Sequence, residues 1–314
     1  MRSRVRAGLR AAAVAAGGAA GAAATRRLAA SLPQRARQPW ERTNYAGRPL
    51  TLLEGPAWLA GVATGIGTAA LLEALDRDET SAAAVRSSPA AALVVTVASG
   101  ALGAFDDLSG SASRKGLKGH LGALRRGELT TGAVKIAGLA VTGLAGALLI
   151  DRAGDSTRET RGKGAGSGEG RTGQAVIETL VGGAVVAAAA NVVNLFDLRP
   201  GRALKVVVAG TAPLAIAGST SAASALGASA GVLGDDLAGV SMLGDTGANA
   251  AGALAGLALV ERCGLRGRLV ALGLLTGLTL ASERVSFSSV IEGNDVLRRL
   301  DDWGRARPLH PRHP

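Results

Sequence analysis

Apolar residues fall along this chain in long blocks, and charged residues gather in the short stretches between them. Blocks near 20 residues are the length a helix needs to cross a bilayer. About nine such blocks are legible, at approximately 8–25, 52–74, 88–105, 131–150, 174–194, 204–219, 221–234, 246–261 and 268–283. Several are shorter than a full span, and their Ala and Gly content makes them weakly apolar. The pattern predicts an all-α fold: a polytopic integral-membrane helical bundle of about nine transmembrane helices, with eight to ten as the range. One transmembrane domain covers 1–285, interrupted by a Gly/Ser-rich flexible linker at about 151–173. The segment 286–314 reads as an amphipathic interfacial helix over Ile291–Trp303, followed by a disordered basic, Pro-rich tail.

The charges between the blocks predict a topology. Residues 26–50 carry Arg26, Arg27, Arg35, Arg37, Arg42 and Arg48 against Glu41; residues 106–130 carry Arg114, Lys115, Lys118, Arg125 and Arg126; residues 197–205 carry Arg199, Arg202 and Lys205. The positive-inside rule assigns these three loops to the cytoplasm of a plasma-membrane protein. Counting crossings then brings the ends of the third and fifth blocks and the start of the eighth to that same face. Arg2, Arg4, Arg6 and Arg10 ahead of an Ala-rich run resemble a signal peptide. Cleavage would turn the basic loop outward against its charge, so a retained first helix is expected.

Composition changes the picture in three places. The net charge of +11 would suggest nucleic acid in a soluble protein; placed between apolar blocks, it points to anionic lipid and phosphorylated substrates instead. Cys263 is the only cysteine, which excludes an intrachain disulfide framework and a multi-cysteine metal site. Gly61/Gly65, Gly227/Gly231, Gly252/Gly256 and Gly273/Gly277 have the Gly-x-x-x-Gly spacing that lets helices approach closely in lipid.

Three acidic clusters lie at block ends: Phe105-Asp106-Asp107-Leu108, Asn191-Val192-Val193-Asn194-Leu195-Phe196-Asp197 and Gly244-Asp245-Thr246-Gly247-Ala248-Asn249. A carboxylate costs roughly 2.5–3.5 kcal/mol at a helix centre on insertion scales, so acidic residues kept near hydrocarbon usually serve a function. Carboxylates with amides and glycines are the materials of a Mg²⁺–phosphate site. Each cluster also has a plainer reading. Asp245 could cap a helix, Asp106 and Asp107 could start a solvated loop, and Asn191 and Asn194 could bond neighbouring helices. Asn191, Asn194 and Asp197 share one helical stripe at i, i+3 and i+6.

The ordered set of an Asp pair, a basic stretch, Asn-x-x-Asn-x-x-Asp and Gly-Asp-x-Gly, over about residues 40–285, resembles the polyprenyl-phosphate sugar-1-phosphate transferase family. The resemblance implies a cell-envelope enzyme. It would transfer a sugar-1-phosphate from a UDP-amino sugar to polyprenyl phosphate with Mg²⁺, releasing UMP at the cytoplasmic membrane face. It implies Asp245 as the principal metal ligand and Asp106, Asp107 and Asp197 as catalytic carboxylates. Lys118, Asn191, Asn194, Gly244 and Gly247 would contact substrate; Arg199 and Arg202, read from their own chemistry where the chain departs from the family, are suited to grip a phosphate bidentately. The partners expected are the lipid, the UDP-sugar and the membrane, not nucleic acid, and a homodimer is compatible with them.

Two features depart from the family. After Asp197 the chain runs Leu198-Arg199-Pro200-Gly201-Arg202-Ala203-Leu204-Lys205, basic where the family is Gly-rich and acidic. The family's histidine-rich motif is absent after the last block; His120 stands alone, and His310 and His313 lie in the tail. These departures sustain an alternative, a non-catalytic homologue that binds or assembles envelope components. A cation transporter ranks last, because Glu54, Glu73 and Glu178 fall near block ends.

Overall fold

The computed structural model describes residues 2–44, 47–75, 88–109, 131–160 and 169–305. Among these, the long helices are α1 (Arg2–Ala30), α2 (Glu54–Leu75), α3 (Pro89–Ser109), α4 (Thr131–Thr160), α5 (Glu169–Phe196), α6 (Arg202–Ile216), α7 (Thr220–Ala238), α8 (Gly244–Arg262) and α9 (Leu265–Ser282), followed by the short α10 (Phe287–Glu292) and α11 (Asp295–Asp302). A small antiparallel hairpin, β1 (Glu41–Thr43) with β2 (Pro49–Thr51), precedes α2.

Each apolar block folds as a helix. Six of the helices are long and apolar enough to cross a membrane: α1, α2, α3, α4, α5 and α9. α6, α7 and α8 fall outside that set, so the expected count of about nine spans is not reached by length and hydropathy. The reason is clearest at α8, which packs against α2, α3, α4, α5, α6 and α7. A helix ringed by protein needs small side chains rather than oily ones, and most of the buried residues of α8 are Gly and Ala. α9 is its opposite: only Arg268 and Ala271 are buried, while Leu269, Val270, Leu274, Leu278 and Leu280 face outward. An apolar outer surface is what an apolar solvent selects.

Small residues set the spacing. A methyl at Gly227 or Gly231 would strike the α1 backbone at Ala15 or Ala19, and one at Gly252 or Gly256 would strike α5 at Ala189 or Val186. Gly61 and Gly65 seat α2 against α1 and α7. The Gly-x-x-x-Gly pairs of α2, α7 and α8 are thus consumed inside the chain. Trp58 is fully buried, its indole N–H donating to Ser229 Oγ at 3.0 Å.

Two segment expectations need correction. The linker expected at 151–173 is helical to Thr160 and again from Glu169; α4 is anchored there by Asp151, which binds Arg268 and Thr179. The single interfacial helix expected over Ile291–Trp303 is two helices, because the Asn294 side chain caps a new one by accepting from Val296 N and Leu297 N at 3.1 Å each. The tail histidines and the basic stretch 110–130 lie outside the described residues.

Candidate functional site

The start of α8 is held by a carboxylate from another helix. α8 opens on Gly244 with Leu243 at its cap position, and Leu has no acceptor to offer the first amides. Asp107, in the last turn of α3, supplies one. Its Oδ1 accepts from Asp245 N at 3.1 Å, and its Oδ2 accepts from Thr246 N at 2.9 Å and Thr246 Oγ1 at 2.6 Å. A negative charge there also meets the positive end of the helix dipole. Two glycines permit the approach. Gly244 has φ +62°, a left-handed backbone, and a Cβ on it would lie 2.9 Å from Asp107 Oδ2. Gly103, one turn before Asp107, abuts the Asp245 carbonyl. From outside, the Arg42 guanidinium of β1 donates to the Asp107 carbonyl oxygen.

This crossing brings Asp106 beside Asp245. Lys135, in the first turns of α4, joins them: its Nζ lies 2.9 Å from Asp106 Oδ2 and 2.6 Å from Asp245 Oδ2. Two carboxylates from different helices converge on one cation. Asn249, one turn along α8, donates its amide to the Asp245 carbonyl oxygen at 2.8 Å, and its Oδ1 is buried without a hydrogen-bond partner.

A second acidic group lies alongside. Asp197 follows α5 and is 7% exposed; Asp236, at the end of α7, is 2% exposed; Glu54 opens α2 and is equally buried. Asp236 Oδ1 accepts from Gly201 N at 3.1 Å, and Glu54 accepts from the Ser241 hydroxyl. Asp236 Oδ2 and Glu54 Oε1 have no partner. Burial, and then the neighbouring charges of Asp236 and Asp245, push the Asp197 carboxyl well above the usual carboxylate range. Asp197, Asp236, Arg199, Asn44, Ser241 and Met242 line a cleft of about 200 Å³.

The structure therefore gathers Asp106, Asp107, Asp245 and Gly244, with Asp197 beside them, and it redirects other expected residues. Asp107, expected to be catalytic, already holds three donors and positions α8. Asp245 does not cap its own helix. Gly247, expected beside the diphosphate, instead admits Gly55 of α2, whose Cα would lie 2.9 Å from a side chain there. Asn191 donates to Thr279 Oγ1 of α9 at 3.1 Å, the helix–helix bond that was its plainer reading. The Asn194 backbone carbonyl oxygen accepts from Asp197 N at 3.2 Å, turning the chain at the end of α5. Arg202, expected to grip phosphate, is 4% exposed and forks onto Asp301 with two 2.8 Å bonds. Arg199 lines the cleft and pairs with Glu292 at 3.2 Å. Lys118 lies outside the described residues.

Sequence reasoning passed over Lys135 and Asp236. Lys135 was legible as a lone cation inside an apolar block. Asp235-Asp236 closes the block at 221–234 just as Asp106-Asp107 closes an earlier one. Glu54 was weighed only as a transport carboxylate; its partnership with Ser241 has no sequence signature.

Among the described residues, no three His, Cys, Asp or Glu side chains are arranged to hold a metal ion. An all-protein cage is thus not what these residues build. Mg²⁺ commonly takes one or two carboxylates and completes its shell with substrate phosphates and water. Asp106 and Asp245, converging on one cation, fit that smaller demand. No protein-family model matches the chain, and no curated protein matches it.

Proposed function

We propose that this chain is a membrane-embedded, Mg²⁺-dependent transferase that moves a sugar-1-phosphate from a UDP-amino sugar to polyprenyl phosphate at the cytoplasmic face, in cell-envelope glycan synthesis. The observation that carries the reading is the convergence of Asp106 and Asp245 on a single cation, Lys135 Nζ, at a helix start fixed by Asp107. An oxygen of the lipid phosphate attacks the β-phosphorus of the nucleotide sugar. A new P–O bond forms, the bond from that phosphorus to the oxygen bridging the two phosphates breaks, and its electron pair leaves with UMP.

Asp245 and Asp106 would hold the Mg²⁺, which when bound neutralises charge between two anionic substrates. Lys135 adds a fixed positive charge at the same point. Asp197, whose carboxyl is held above its ordinary range, is suited to take or return the lipid phosphate's proton. Asp107 and Gly244 position α8 and touch no reacting atom.

Purified protein in nanodiscs, given polyprenyl phosphate and a panel of UDP-amino sugars, should exchange labelled UMP into one of them. Chelation should stop the exchange, and added Mg²⁺ should restore it. Absence of exchange across the panel, with folded protein, would overturn the reading.

Lys135 itself favours the second reading, a non-catalytic homologue in envelope assembly. An ammonium already satisfies the carboxylates that a metal would join, and Arg202 is committed to a structural pair. Under that reading, Asp245→Asn would leave complementation of a deletion strain intact.

A further inference from the structure

In the last helix, α11, a carboxylate faces the protein while an apolar stripe faces out. Asp301 of α11 turns inward and forks onto the buried Arg202, and Arg305 adds a contact at 2.8 Å. Burial would raise the Asp301 carboxyl, but the Arg202 and Arg305 guanidiniums outweigh it and hold the group below its ordinary range. Asp301 is the one buried residue of α11 and marks its protein-facing side, while Asp295, Arg298, Arg299 and Asp302 are exposed. Val296, Leu300 and Trp303 recur at i, i+4 and i+7 and so share a stripe. Five residues separate Val296 from Asp301, which turns the stripe about 140° from the inward face. The stripe is bare: Val296 is 66%, Leu300 59% and Trp303 76% exposed. Arg299 is exposed on the flank of that stripe, and Arg284 is exposed just before α10.

We infer that α11 is seated in an anionic membrane surface, with Val296, Leu300 and Trp303 entering the headgroup–acyl boundary, and that it clamps the loop behind Asp197 from there. Three observations select lipid as the occupant. α9, long and apolar enough to cross a membrane, ends at Ser282, and α10 begins at Phe287, so the pair stays at the bilayer edge. An apolar stripe flanked by arginine and carrying an indole is the pattern of a helix lying in that plane. The inward ties rule out the reverse orientation. The clamp is built of contacts to the turn after α5 and the helix ends that flank it: Phe287 stacks on Phe196 with ring centroids 4.9 Å apart, Lys205 Nζ donates to Leu300 O at 3.1 Å, and Arg305 donates to Pro200 O at 2.9 Å. The inference needs the bundle in a bilayer and not the transferase reading, so an inactive protein leaves it standing.

The test uses the full chain with Cys263→Ser and a single new cysteine carrying an environment-sensitive fluorophore, either Leu300→Cys on the stripe or Arg298→Cys on another face. Both proteins enter nanodiscs of phosphatidylcholine, alone or mixed with phosphatidylglycerol, with brominated lipid as quencher. The label at 300 should be quenched at least several-fold more than the label at 298, and more so with phosphatidylglycerol; Arg299→Gln should remove that anionic increment. In a Leu300→Asp protein, hydrogen exchange of amides 197–205 should accelerate in nanodiscs while the rest of the bundle keeps its protection. Equal quenching at the two positions would overturn the inference. So would label–label contact without lipid quenching, which would make a second copy of the chain the occupant.

Discussion

At one end of the bundle Arg268 is fully buried, and every N–H of its guanidinium finds an acceptor: Asp151 twice, and the carbonyl oxygens of Glu178, Val260 and Cys263. Glu261, near that end, accepts hydroxyls from Ser219 and Ser221 at 2.8 and 2.6 Å. At the other end Glu54, Asp106, Asp107, Asp197, Asp236 and Asp245 crowd together, and Glu54 Oε1, Asp236 Oδ2 and Asn249 Oδ1 lack partners. Burial penalises an uncompensated charge far more than a paired one. The matched end explains itself as structure. The unmatched end carries an excess of anionic oxygen that folding alone does not require, and an excess of that kind marks a site.

This contrast can be broken from either side. The largest effect is expected at the matched end. Arg268→Ala strands the Asp151 carboxylate and should cost about 3–5 kcal/mol, read as a lowered denaturation midpoint in detergent; exchange activity per folded molecule should hold. Asp245→Asn should do the reverse, lowering UMP exchange by about 10²–10³-fold with little change in midpoint, the scale of losing one electrostatic contact in a transition state. Were both variants to lose stability and activity together, the division into a structural and a chemical end would fail.

Smaller effects sharpen it. Asp107→Ala removes the foreign cap of α8 and should cost about 1–2 kcal/mol. It should also lower exchange through a displaced Asp245, so that the two losses track each other. The smallest effect is in pH. A raised carboxyl pKa means that the folded state binds the proton more tightly than the unfolded chain, so the stability it contributes at low pH is lost as pH rises from about 4 through the folded value. Metal-free protein should therefore lose part of its stability over that rise. Asp197→Asn should flatten the loss, and a profile unchanged by the substitution would remove Asp197 from the account.

The blocks of apolar sequence predicted the helices well because a helix that meets lipid must show it in composition. They were weakest at α8, a helix whose surroundings are protein and whose Ala and Gly reflect close packing rather than a solvent. The acidic clusters were legible for a related reason: a carboxylate at the end of an apolar run is costly enough to be conspicuous. Their partners were not legible. Nothing in the chain before Thr131 indicates that Lys135 will stand between Asp106 and Asp245, since that depends on α3 and α8 crossing at Gly103. Arg202 misled because a guanidinium suited to phosphate is equally suited to a carboxylate, and Asp301 lies 99 residues away in sequence.

The account rests on the acidic end acting through a shared cation, and the most direct measurement is Mg²⁺-dependent exchange of labelled UMP with a UDP-amino sugar by wild-type and Asp245→Asn protein side by side in nanodiscs containing polyprenyl phosphate. The account predicts exchange by the wild type that chelation abolishes and that the variant loses by about 10²–10³-fold. Exchange that persists without metal, or that Asp245→Asn leaves unchanged, would contradict it.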